Sequence, residues 1–246
     1  MAKRWLTFAL SICGVWLCAG IVQAASFAVL IGVSDYDEEI GLADLRGPSN
    51  DVMLLRDVLQ ERADFDIRII ADGVEGGIRP TRDAILSSLD TLVDDTNPGD
   101  FVYVHMSGHG TQQADRNGDE TDGLDEVFLP ADTKRAEPGT SVIPNAILDE
   151  ELGARIKALR ANGVDVWFVL DSCHSGSGLR AGSPRSQARF VDPATLGVSI
   201  IAATPQPVAT AAIEGPGDDT LPGGYMAFYS AQSSDCLLYT SPSPRD

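Results

Sequence analysis

The chain has 246 residues, 43% hydrophobic and 22% charged, with 24 Gly and 14 Pro. That is an ordinary globular composition, which excludes wholesale disorder and a collagen-like repeat and suits one domain of about 200 residues. With 36 acidic residues against 18 Lys and Arg, the net charge is −18; such a surface repels phosphate backbones, so nucleic acid is not an expected partner, whereas cations and cationic substrates are.

Residues 1–25 read as a secretory signal peptide. Lys3 and Arg4 precede an uncharged, mostly apolar stretch from Trp5 to Val22, and Val22-Gln23-Ala24 offers a small-residue cleavage site. An uncleaved membrane anchor is the weaker alternative. Neither Cys13 nor Cys18 follows the small residues of a lipoprotein signal. The expectation is an exported chain, periplasmic or secreted, with no membrane contact once the signal is gone. Of the four cysteines, Cys13 and Cys18 leave with the signal and Cys236 lies in an atypical tail. Only Cys173 stays in the body, so no disulfide framework is expected; a lone thiol is either a small buried hydrophobe or a reactive group.

Ser26 to Val33 is a short apolar run, read as a buried strand. Pro48 to Arg62 places Val52, Leu55 and Leu59 on one helical face, and Asp66 to Ala71 is a second strand. Thr81 to Asp94 forms a second helix through Ile85, Leu89 and Leu92. Phe101 to Met106 and Val164 to Leu170 are further strands, separated by a helix carrying Leu148, Leu152, Ile156 and Leu159. Val198 to Ala203 reads as a fifth strand. This alternation implies an α/β fold with a mainly parallel sheet and helices on both faces, whose ligands bind beyond the carboxyl ends of the strands. Asp115 to Glu126 reads as a loop with six acidic residues in twelve, and Gly176 to Arg189 as a flexible surface loop. Cys236 to Asp246 shares neither the composition nor the periodicity of the body and reads as a non-native tail, resembling translated adapter sequence.

Two strand ends carry the chemistry. The third strand runs into His105-Met-Ser-Gly-His109-Gly110, and the fourth into Asp171-Ser-Cys173-His-Ser-Gly176. A cysteine nucleophile needs a thiolate, and a nearby imidazole helps to form it and then protonates the leaving amine. The backbone N–H groups of Gly110 and Cys173 are candidate oxyanion donors. Bland readings compete: a buried Cys is usually inert packing, and His105 and His174 read as structural. The spacing of His105 and His109 across a strand and a glycine turn is poor for zinc. No Gly-x-Ser-x-Gly elbow supports a serine hydrolase.

Ser107-Gly-His109-Gly and Asp171-Ser-Cys173-His-Ser-Gly resemble the catalytic motifs of metacaspases, the caspase-like cysteine peptidases. Leu45-Arg-Gly-Pro-Ser-Asn-Asp51 and Asp122-Gly-Leu-Asp-Glu-Val-Phe-Leu-Pro-Ala-Asp132 are similar to two further blocks of that family. The resemblance covers Phe27 to Gly178. It implies a caspase-like domain over about residues 26–235, with a large-subunit region to about 180 and the start of a small-subunit region from about 198. It also implies a Cys173–His109 dyad and cleavage of protein or peptide substrates after Arg or Lys. Pro48 stands where many members carry a second cysteine. Asp51, Ser107 and Asp171 are the candidate substrate-binding residues, two carboxylates and a hydroxyl that suit a guanidinium or ammonium and repel an Asp side chain. The bland alternatives are that Asp51 caps its helix and Asp171 orders its turn.

Asp115-x-Asn117-x-Asp119, with Glu126 as the twelfth residue, has calcium-loop spacing, but Glu120 stands where an EF-hand needs Gly. The family resemblance places candidate calcium ligands at Asp125, Asp149 and Glu150. The alternatives to a peptidase are an inactive caspase-like binding module and a calcium-responsive structural domain of the envelope.

Overall fold

The structure, a computed structural model, describes residues 24–118, 120, 123–172, 189–199 and 220–229. Residues 1–23 of the expected signal peptide, Cys173, His174, most of the Gly176 to Arg189 loop and the 236–246 tail lie outside the described residues. No helix among the described residues is long and apolar enough to cross a membrane.

Five parallel strands form the main sheet in the order β2-β1-β3-β7-β8: β1 (Ser26–Gly32), β2 (Phe65–Ala71), β3 (Phe101–Ser107), β7 (Asp165–Asp171) and β8 (Tyr225–Tyr229). The strands are apolar on both sides because both sides are covered over most of the sheet. Ala28 and Leu30 of β1 pack under Val52 of helix α1 (Gly47–Arg62). The alternate residues Val29 and Ile31 join Val104, Phe168 and Ile85 in the larger cluster beneath α2 (Arg82–Asp95) and α3 (Asp149–Ala161). Each helix begins within a residue or two of its expected start. Thr81 caps α2, its hydroxyl accepting from the Ala84 N–H at 3.2 Å. Leu148 precedes α3 instead of belonging to it, and its N–H donates to Glu151 at 3.1 Å.

Two expectations need correction. The segment read as an acidic loop ends in a strand. Gly110–Ala114 (β4) and Leu124–Phe128 (β5) pair antiparallel, and Ile147–Leu148 (β6) extends this second sheet. Asp125 and Glu126 are consequently buried. In what is left of the loop, both carboxylate oxygens of Asp115 accept backbone N–H groups, from Asn117 and Gly118 on one side and Glu120 on the other. These bonds hold its pKa below the usual carboxylate range, the Gly118 N–H contributing most. Asp115 is a turn-former. As for the fifth strand expected from Val198, Val198 and Ser199 lie outside regular structure, and 200–203 fall outside the described residues. The fifth strand of the described sheet is β8.

Register fixes what stands at the carboxyl edge of the sheet. Gly32, Ser107 and Asp171 are paired residues at the ends of β1, β3 and β7, and all three face α1. Gly32 lets the helix start come close: a Cβ there would lie 2.8 Å from the Pro48 carbonyl oxygen and 2.9 Å from Val52. Gly32→Ala should therefore displace the first turn of α1 and cost about 1–3 kcal/mol by overpacking, read as a lower urea midpoint at an unchanged m-value.

Candidate active site

His109 follows β3 directly and is 3% exposed. Its orientation is fixed on three sides. The backbone N–H donates to the Tyr36 hydroxyl at 2.9 Å, and that hydroxyl donates to the Leu129 carbonyl at 3.2 Å. The Tyr36 ring lies 5.0 Å from the imidazole, centroid to centroid. On the ring itself, Nε2 sits 2.8 Å from the Ala43 carbonyl and Nδ1 3.1 Å from the Arg189 carbonyl. Gly108 is required by this crowding, since a Cβ would meet the Phe128 ring at 2.9 Å and the Tyr36 oxygen at 3.3 Å. Burial pushes the His109 pKa below its ordinary value, opposed by the two carbonyls, so the imidazole is neutral near pH 7 and able to accept a proton.

The three candidate substrate-binding residues come together. Asp51 of α1 accepts from the Ser107 hydroxyl at 3.2 Å. Asp171 stands beside Ser107 in the paired register. Between the two carboxylates lies a guanidinium that the loop reading did not anticipate. Arg189, expected on a flexible surface loop, is 3% exposed. Its Nη1 lies 2.6 Å from the Asp171 carboxylate, 2.6 Å from the Asp171 carbonyl and 2.6 Å from the Ser107 hydroxyl. Its Nη2 lies 3.3 Å from Asp51. Burial raises the Asp51 pKa, Arg189 opposes the rise and Asp171 adds to it. Gly47 forms part of the wall, where a Cβ would stand 2.9 Å from the guanidinium.

The Gly110 N–H, a candidate oxyanion donor, does donate to a carbonyl: that of Arg189, at 2.9 Å. Cys173 lies outside the described residues. Its neighbour Ser172, which continues the chain from Asp171, is buried. His105 is also on the pocket side of β3, two residues before Ser107. Neither of its ring nitrogens has a hydrogen-bond partner, and burial pushes its pKa down to about 4. The imidazole is therefore neutral near pH 7.

A family model described as "Metacaspase, peptidase C14 domain" matches residues 27–181, more than half of the chain and both motifs. The chain belongs to the metacaspase family. Metacaspase-1 of Pyricularia oryzae is 31% identical over 228 residues, covering 89% of this chain and 54% of that protein. Metacaspase-1B of Aspergillus terreus is 36% identical over 157 residues, covering 62% and 38%. This metacaspase thus spans about half or less of the length of these curated relatives. A crystal structure of a Geobacter sulfurreducens protein shares the fold, with a TM-score of 0.54 at 23% identity over 70% of this chain and 59% of that one. The fold is caspase-like.

The candidate calcium ligands divide. Asp149 and Glu150 stand together at the start of α3, and Asp149 Oδ1 and Glu150 Oε2 have no hydrogen-bond partner. Burial, then the negative charges of Glu150, Glu126 and Glu120, raises the Asp149 pKa. Asp125 is turned elsewhere. It lies opposite Gln113, whose amide donates to it at 3.3 Å, and strand period two puts Glu126, not Asp125, on the side of Asp149. Among the described residues no three acidic, His or Cys side chains converge closely enough to hold a metal ion. Asp149 and Glu150 fit calcium in donor chemistry, while Asp125 does not belong with them. Asp119 and Asp122 lie outside the described residues.

Sequence reading did not identify Tyr36, the Ala43 carbonyl, Arg189 or Glu126 as members of these sites. Tyr36→Phe removes one partner from each of two buried backbone groups, the His109 N–H and the Leu129 carbonyl. It should cost about 1–3 kcal/mol in denaturant unfolding and broaden the His109 ring resonances in NMR spectra; unchanged stability and spectra would show that Tyr36 does not hold His109.

Proposed function

We propose that this metacaspase is a cysteine endopeptidase that cuts peptide bonds after Arg or Lys, with Cys173 as nucleophile and His109 as the proton carrier. The observation that supports this reading is the guanidinium of Arg189, held between Asp51 and Asp171 and against Ser107. A pocket that accepts the chain's own arginine has the charge and the shape to accept one from a substrate. His109 stands one peptide from that pocket, and the Gly110 N–H already binds a carbonyl there. In the proposed reaction the Cys173 thiolate adds to the carbonyl carbon and His109 protonates the departing amine. Water then hydrolyses the thioester. An anionic side chain would meet two carboxylates and be rejected.

The test is a peptide panel differing only at the residue before the cut. Arg and Lys peptides should be cleaved and the Asp peptide should not. Cys173→Ala and His109→Ala should each abolish turnover, and Asp51→Asn should lower kcat/KM for the Arg peptide by about 10- to 100-fold, the loss expected for a charged hydrogen bond. Preference for Asp, or residual turnover in Cys173→Ala, overturns the reading. We further propose that residues 1–25 direct export and are then removed, which N-terminal sequencing of the secreted chain tests.

A regulatory cation belongs to the same proposal. Calcium held by Asp149 and Glu150 would relieve the repulsion among buried carboxylates, with an affinity of about 10⁻⁴–10⁻³ M as in extracellular sites. Without the ion, Asp149 binds its proton more tightly in the folded chain than in the unfolded one. Stability should therefore fall as pH rises above the ordinary carboxylate pKa of about 3.9 and through the raised value. Asp149→Asn should flatten that slope. Calcium should raise the melting temperature of the wild type at pH 8 but not that of the variant, and magnesium should do so poorly; equal melting with calcium and with chelator rejects the site.

A further inference from the structure

One guanidinium joins the two segments whose carbonyls flank the imidazole of His109. We propose that Arg135 is a positioning residue: its fork ties those two segments together and so holds the Ala43 and Arg189 carbonyls at the ring nitrogens, aligning His109 for proton transfer. This inference rests on the reading of His109 as the proton carrier.

The clamp is built on two short turns. Glu38–Ile40 and Pro193–Leu196 are one-turn 3₁₀ helices, and each ends at a left-handed glycine, Gly41 at φ 74° and Gly197 at φ 82°. Turns this short leave their last carbonyls without partners of their own. Residues 135 and 136 supply the donors. Arg135 Nη2 donates to the Ile40 carbonyl at 2.9 Å and Nη1 to the Thr195 carbonyl at 2.6 Å, while the Ala136 N–H donates to the Leu196 carbonyl at 2.7 Å. A basic side chain commonly caps one helix C-terminus. Here a planar fork caps two, which a point charge cannot do in the same geometry.

Each turn leads to one side of the imidazole. Ala43 lies three residues beyond Ile40, and the next backbone anchor of its loop is the Leu45 N–H, which donates to the Ser34 carbonyl at 2.9 Å. The carbonyl on His109 Nε2 is therefore held between two pins, Arg135 at Ile40 and Ser34 at Leu45. On the other side, Arg189 lies six residues before Thr195, and its carbonyl faces Nδ1. The alternative is a merely stabilising bond. Against it, the Ile40 and Leu196 side chains already anchor both turns in the main core, whereas Arg135 is exposed. What the guanidinium adds is a fixed separation between the turns.

The two carbonyls raise the His109 pKa against burial. Loosening them should lower it, whereas deleting the positive charge of Arg135 would by itself raise it. The sign of the change separates positioning from simple electrostatics.

The experiment compares the full chain with Arg135→Ala and Arg135→Lys, by NMR titration of the His109 ring and by turnover of an Arg peptide. In both variants His109 should titrate at lower pH than in the wild type. Their kcat should fall about 10- to 100-fold, the loss expected for a misplaced catalytic group, with KM within about twofold of the wild type. Lys keeps the charge and loses the fork, so it should not rescue. An unchanged or higher His109 pKa in Arg135→Ala, an unchanged kcat, or wild-type behaviour in Arg135→Lys overturns the inference. Turnover that persists in His109→Ala overturns the reading of His109 as proton carrier instead, and the titration, which needs no turnover, still decides whether Arg135 holds the imidazole. Should Arg135→Ala fail to fold, Arg135→Lys gives the same decision.

Discussion

The site depends on one constraint of register. Parallel pairing brings Gly32, Ser107 and Asp171 into line at the ends of three adjacent strands, and a shift of one residue would turn Ser107 and Asp171 to the opposite face of the sheet. Because the middle of that line is a small hydroxyl and its β1 end has no side chain, α1 can start against it and deliver Asp51. The carboxylate pair is thus a consequence of where a large residue is absent. A bulky side chain at position 32 would push the helix start away, and Asp51 with it.

Gathering two carboxylates at a half-closed edge is costly unless a cation accompanies them, since each loses hydration and each repels the other. Arg189 supplies that cation with both ends of its fork, and Ser107 and the Asp171 carbonyl satisfy further donors. Breaking such a group by removing one member strands the rest, whereas exchanging one guanidinium for another preserves every contact. A pocket built this way is complete only when a cation is in it. Here the occupant is the chain's own Arg189; under the proposed function a basic side chain of a substrate would take its place, and the net charge of −18 would favour its approach.

Much of this was legible in the residues. Apolar runs bounded by turns located β1, β2, β3 and β7, and helical spacing located α1, α2 and α3, because each of these elements buries a face with its own period. The motif residues His109, Asp51, Ser107 and Asp171 were legible because side chains write themselves into sequence. The second sheet was not, for Gly-Thr-Gln-Gln-Ala and Leu-Asp-Glu-Val-Phe lack clean alternation and bury polar groups that pair only in three dimensions. The Ala43 carbonyl could not be found either, since every residue owns a carbonyl. Arg189 was hidden by its neighbourhood: a Ser, Gly and Arg-rich stretch predicts exposure, and only the carboxylates of two remote elements make burial favourable.

The hydrogen bonds around His109 give that charge balance a catalytic side. A neutral imidazole has one N–H to donate, yet both of its nitrogens face carbonyl oxygens. Donation from Nε2 to Ala43, the shorter contact, leaves the Nδ1 lone pair directed at the Arg189 carbonyl, where it gains nothing. The segment around Arg189 is therefore held by its guanidinium and its pairing to Gly110, against an indifferent imidazole. Protonation changes this. The imidazolium donates to both carbonyls, and its second proton sits on the nitrogen nearest the Arg189–Phe190 peptide. Burial disfavours that charged form in the resting site, which keeps His109 available as a base. The two carbonyls favour it once a proton has been taken, so the same fixed groups that leave the neutral ring half satisfied stabilise the protonated form, which is the form the proposed reaction requires.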